Sequence, residues 1–152
     1  MAYSTAEARQ QLLDDIAVAT EEIGVALAAL TEAYDHLDER MADRMEEELF
    51  RPVQLAYGRA RRTHTAFAER HGLPTRTFEP NAYGRPTASS REMLDTAVEA
   101  LGEADHLLTE VQDSMMPVEV GDAELRAGLA QVREIVGPLT GVAREITRVL
   151  GR

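Results

Sequence analysis

The chain has 152 residues, no Cys or Trp, and a formal net charge of −11. That length fits one ordinary domain, which at this size buries about two-thirds of its unfolded surface without disulfide staples. The missing Cys excludes disulfides, thiolate-held metals and thiol nucleophiles, and the excess of acid disfavours nucleic acid and anionic membranes as partners.

Hydrophobic residues make up 44% of the chain and only seven are aromatic, so the core is aliphatic and suits helix packed on helix. All 16 basic residues are Arg. They are unevenly placed. Residues 51–91 hold eight Arg and two acids, between flanks holding 13 acids with three Arg and 12 acids with five. The simplest expectation is that this basic segment lies against the acidic helices; an anion site is the alternative. The N-terminus lacks the basic start and apolar run of a signal peptide. The longest apolar stretch, Val25 to Leu30, is too short to span a bilayer. A cytoplasmic location is therefore expected.

The first predicted helix opens on Ser4-Thr5-Ala6-Glu7, a capping-box pattern. Its stripe is Leu12, Ile16, Ala19, Ile23, Leu27, Leu30, Tyr34 and Leu37, in steps of three and four. The stripe continues through Met41, Met45 and Leu49, so two endings compete. A turn near Asp35–Asp38 gives two helices, roughly 5–34 and 38–71, each about 45 Å long. Asp38 then caps the second helix and Pro52 kinks it. The other ending runs the first helix to about Phe50 and opens the second on Pro52. The early turn is preferred, because of the repeat below.

Residues 72–88 hold three Pro and two Gly and cannot form a regular helix. Phe78 and Tyr83 suggest that this connection packs on the helices, and extended it spans their length. The third helix opens on Ser89-Ser90-Arg91-Glu92 and carries Leu94, Ala97, Leu101, Ala104, Leu108, Val111 and Met115. Pro117 and Gly121 mark a turn, Asp122 caps the fourth helix, and Gly137-Pro138 bends or breaks it.

The two halves look alike. Sliding residues 19–35 onto 97–113 leaves eight of 17 positions identical, including Gly24/Gly102 and a shared Leu-Thr-Glu-x-x-Asp. Phe50-Arg51-Pro52-Val53 is similar to Val136-Gly137-Pro138-Leu139. Matched glycines inside helices, each costing about 1 kcal/mol relative to Ala, suggest a shared close approach of two helices. The expectation is an all-α four-helix bundle: hairpin 1 at about 4–71, connection 72–88, hairpin 2 at about 89–152. That plan resembles ferritin-like proteins in architecture. The resemblance implies a di-metal site, but Glu103-x-x-His106 is the sole match to its Glu-x-x-His element, and no His follows His106.

Two further resemblances rest on short motifs. Glu32-x-x-Asp35 and Glu110-x-x-Asp113 are duplicated acidic pairs. They resemble the carboxylate pairs with which all-α nucleotide pyrophosphohydrolases hold Mg²⁺, which implies metal-assisted phosphate chemistry. The plainer reading has Asp35 and Asp113 forming turns. Arg59-Ala60-Arg61-Arg62-Thr63-His64 places Arg and His five apart. This resembles the Arg-(four to six residues)-His element of HEPN-type ribonucleases, implying acid–base work for His64 and phosphate contacts for Arg59 and Arg62. The plainer reading is a solvated basic face. Met41, Met45, Met115 and Met116 lie near the proposed turns and suggest an apolar pocket or partner groove there.

No convergent catalytic set emerges and no cofactor is expected. The leading expectation is a non-catalytic bundle acting through self-association, as a homodimer, or through another protein. The alternatives are a phosphate-ester hydrolase or ribonuclease, and a binder of a small apolar ligand.

Overall fold

The computed structural model describes residues 4–85 and 87–150. Both chain ends and Pro86, which the sequence reading assigns to the domain and its connection, lie outside the described residues. Their regular structure is all helix, with no strand among them.

Helix α1 runs Thr5–Tyr34, and the Ser4 hydroxyl accepts the Glu7 N–H at 3.1 Å. The chain then turns, and the Asp38 carboxylate accepts the Met41 N–H at 2.9 Å to start α2, Glu39–Met45. The early ending of the first helix is the correct one. Pro52 acts differently from a simple kink. Between α2 and α3 (Arg51–Arg70) lies one wide turn, Glu46–Phe50, where Arg51 N–H bonds to Glu46 O, five residues back. Proline lacks an N–H and its ring crowds the carbonyl four residues earlier; a wide turn absorbs both defects without breaking the rod.

Helix α3 ends in a Schellman motif. Gly72 takes φ +66°, Leu73 N–H bonds to Ala68 O at 2.8 Å, and Gly72 N–H bonds to Glu69 O at 3.4 Å. Helix α4, Ser90–Asp113, starts with a full capping box between Ser89 and Glu92. A single turn, α5 (Met116–Glu119), follows Met115, whose φ is +67°. Asp122 caps α6, Ala123–Val136, and the chain breaks at Gly137-Pro138 before α7, Leu139–Leu150.

Side-chain contacts fix the directions. Ala33 sits with Met93, while Val18 lies beside Leu107 and Val111, so α1 and α4 are antiparallel. Gly24 faces Tyr57 and His64 lies near Leu13 and Asp14, so α1 and α3 are antiparallel too. Arg59 reaches Gln131 and Arg70 reaches Asp122, which runs α6 against α3. Arg133 bonds Gln112, joining α6 to α4. A continuous aliphatic core lies between these rods, including Leu12, Ile16, Ile23, Leu30, Leu101 and Leu129. Residues 73–85 and 87–89 lead back from the end of α3 to the start of α4 as a strap. Arg76 contacts Glu21, Phe78 is buried on His64, and Tyr83 packs toward Ala33 and Met93.

The matched glycines differ in use. A Cβ on Gly24 would lie 3.2 Å from the Tyr57 ring, whereas one on Gly102 would meet nothing within 4 Å. The shared close approach expected from the repeat therefore exists only at Gly24. Gly102→Ala removes backbone freedom from the unfolded chain at no steric cost. It should raise stability by about 0.5–1 kcal/mol, read as a higher midpoint in urea; an unchanged or lower midpoint would contradict the open surroundings.

The basic segment is only partly neutralised internally. Of its eight arginines, Arg70, Arg76 and Arg85 pair with carboxylates among the described residues. The methionines do not share one pocket: Met41 and Met45 follow the C-terminal end of α1, whereas residues 115–120 sit by its start, where Arg9 bonds the Val120 carbonyl. Only Met45 among these four is fully buried.

Candidate functional site

Arg59, Arg62 and His64 share α3 but not one face. Residues turn about 100° apiece in a helix, so His64 lies about 140° round from Arg59, whereas Arg62 lies about 60° from it. Arg59 and Arg62 accordingly line a shallow hollow of about 220 Å³ with Thr63, Ala66, Arg70, Glu124 and Gln131. Arg59 Nη1 donates to Gln131 Oε1 at 2.6 Å. His64 does not line that hollow. It is 3% exposed, its ring meets Phe78 edge-on at 5.1 Å, and its Nδ1 has no partner among the described residues. Burial holds its pKa below the ordinary imidazole value, although the Asp14 carboxylate and the Leu13 backbone pull it upward. His64 is thus a neutral residue of the α1–α3 seam at neutral pH.

The acidic pairs also stay apart from one another. Glu32 faces His36 at 3.5 Å, and Glu110 faces His106 at 2.8 Å; each pair spans one helical turn near the surface. Asp35 and Asp113 stand exposed at the ends of α1 and α4, where the chain turns. Among the described residues no three His, Asp or Glu side chains are grouped to hold a metal ion. Glu103 and His106 are both exposed, and His106 pairs with Glu110.

A hollow with a volume of about 580 Å³ lies beneath the strap. Its floor is the α1 surface at Glu21, Glu22, Gly24, Val25 and Ala28, with Tyr57 of α3 and Thr96 of α4 beside it. Its roof is strap residues 76–85. Gly24 makes the floor: without a side chain there, the Tyr57 ring lies against α1 and is 5% exposed. Arg61 stacks on that ring at 4.8 Å, and Arg76 stands over Phe78 at 5.3 Å. Tyr83 Oη is buried with no hydrogen-bond partner among the described residues.

Charge in the hollow is unbalanced. Of the five charged side chains lining it, Glu21 contacts Arg76, and Arg85 pairs with Glu92 at 3.1 Å. Glu22 and Glu79 have no counter-ion among the described residues. Burial raises the Glu22 pKa above the ordinary carboxyl value, and the neighbouring Glu103 charge adds to this. Burial likewise raises the Tyr57 phenol; Arg61 opposes the shift and Glu79 reinforces it.

This hollow is not legible in the sequence. Phe78 and Tyr83 signalled a packed strap and Gly24 a close approach, but no local pattern placed Glu22, Tyr57 and Tyr83 together. Comparison of the chain with protein-family models, curated proteins and solved structures finds no match. No described helix is long and apolar enough to cross a membrane.

Proposed function

We propose that this chain is a non-catalytic helical bundle that works by binding, and that the hollow beneath its strap holds a small organic molecule. The hollow carries this reading: about 580 Å³, roofed by the strap and lined by apolar surface with a few polar groups, it falls within the roughly 300–1,000 Å³ of ordinary ligand sites. The antiparallel rods and the strap between them support a four-helix bundle of ferritin-like plan, as a single domain. Its proposed origin is duplication of a hairpin: Ser4 and Ser89 cap matching helices, and the wide turn before Pro52 corresponds to the break at Gly137-Pro138. We take the cytoplasm as its compartment on sequence grounds alone.

A ligand-observed NMR screen of neutral and charged aromatic fragments tests the binding reading. Val25 lines the hollow and is 45% exposed, so Val25→Trp fills the space without disturbing the core. Hits on the parent chain should vanish in the variant. Hits that bind both proteins equally would remove the hollow as the site.

Self-association is the second reading. Val18, 47% exposed, stands beside a separate hollow of about 300 Å³ between α1 and α4 that Leu107 and Val111 line. A homodimer covering this seam should sediment as two chains and become monomeric in Val18→Glu. A parent chain that stays monomeric when concentrated would end this reading. The phosphate-ester reading has Arg59 and Arg62 together in its favour, but the histidine it needs, His64, lies outside their hollow, and the one carboxylate there, Glu124, is paired with Arg70.

A further inference from the structure

We propose that the hollow beneath the strap selects an organic cation, a protonated or quaternary amine with an apolar body, whose charge is met by Glu22 and Glu79. This inference rests on the hollow being a ligand site.

Charge balance carries it. Both arginines of the lining are already occupied by carboxylates, Arg76 by Glu21 and Arg85 by Glu92. An anionic ligand would have to displace one of these partners. Glu22 and Glu79 have none among the described residues, and Glu22 also feels the repulsion of Glu103. A cation entering here relieves that repulsion, and the partly desolvated setting strengthens its attraction to the carboxylates.

The polar atoms agree. Tyr57 is 5% exposed and lines the hollow, and the buried Tyr83 hydroxyl has no hydrogen-bond partner among the described residues. The Tyr57 phenol oxygen can accept an ammonium N–H. The floor at Gly24, Val25 and Ala28 is apolar and takes a hydrocarbon body. Arg61 over Tyr57 and Arg76 over Phe78 already take one face of each of those rings. The Tyr83 ring lines the same space.

Isothermal calorimetry on the full chain tests this with probes of one shape and different charge. Phenethylamine and benzyltrimethylammonium are the cations, phenethyl alcohol the neutral probe, and hydrocinnamate the anion. At least one cation should bind about tenfold tighter than the alcohol, and hydrocinnamate weakest. Glu22→Gln, nearly isosteric, should weaken cation binding about tenfold and leave the alcohol unchanged, as expected for loss of one charged hydrogen-bond partner. Its far-ultraviolet circular dichroism should match the parent. Equal binding of cation and alcohol, or tighter binding of hydrocinnamate, overturns the cation assignment and leaves the ligand hollow standing. Failure of every probe, charged or neutral, overturns both.

Discussion

Replacing Gly128 with Ala should destabilise the fold by about 2 kcal/mol, although Ala is the better helix former by about 1 kcal/mol. A Cβ at this position of α6 would overlap Thr63 of α3 and come within 3.1 Å of the Thr63 Cβ. Thr63 cannot swing aside freely, because its hydroxyl donates to the Arg59 carbonyl at 2.8 Å and its β-branched side chain has few rotamers in a helix. The two rods would have to separate, loosening the seam that also holds Arg59 to Gln131. The double variant Thr63→Ala/Gly128→Ala should recover most of the loss, since the Thr63 hydroxyl and methyl that overlap most are gone. Urea unfolding of the four proteins of this cycle reads the coupling. Additive losses would mean that α3 and α6 do not meet at Gly128.

Asp122→Ala should cost about 2 kcal/mol at neutral pH. This carboxylate caps α6 by accepting the Leu125 N–H at 2.7 Å, and it accepts two bonds from Arg70, at 2.8 and 2.9 Å. His71 Nε2 lies 2.9 Å away. The Arg70 bonds hold its pKa well below the ordinary aspartate value, helped by the Leu125 N–H and His71 and opposed by burial. A depressed carboxyl pKa means that the unfolded chain takes up the proton first as pH falls. The stabilisation is therefore complete above the unfolded aspartate value, about 4, and fades as pH falls below it. Partial exposure of the Arg70–Asp122 pair keeps the charge contribution modest. Asp122→Asn separates the roles: Asn still caps a helix, so it should lose only the charged part and flatten the acid limb of stability against pH. An Asn variant as unstable as Ala at pH 7 would make the cap unimportant and the charge everything.

Much of this fold was legible because helix ends are local. Ser4, Asp38, Ser89 and Asp122 each sit where a side-chain oxygen can take an orphan N–H, and each does so. The strap was legible from Pro and Gly content, and its packing from Phe78 and Tyr83. The wide turn at Glu46–Phe50 was not: Pro52 announces a defect in the helix, but which turn absorbs it depends on packing. Gly128 went unread for a similar reason. Its Arg-Ala-Gly-Leu setting is ordinary helix sequence, and only the neighbour Thr63 makes the missing Cβ matter.

The candidate site was less legible. His64 and Arg59 belong to a spacing that looks like chemistry along the chain, yet helical rotation points them to different neighbours, α1 and the strap for one and α6 for the other. The hollow joins Glu22 and Gly24 of α1 with Tyr57 of α3 and the strap, contacts between residues far apart in sequence.

Amide chemical-shift mapping of the nitrogen-labelled chain, titrated with benzyltrimethylammonium, shows whether the strap and α1 together make a ligand site. Saturable shifts should concentrate at residues 21–28, at Tyr57 and along 76–85. Shifts centred on Arg59, Arg62 and Gln131, or spread without a focus over the acidic surface, would contradict a site there.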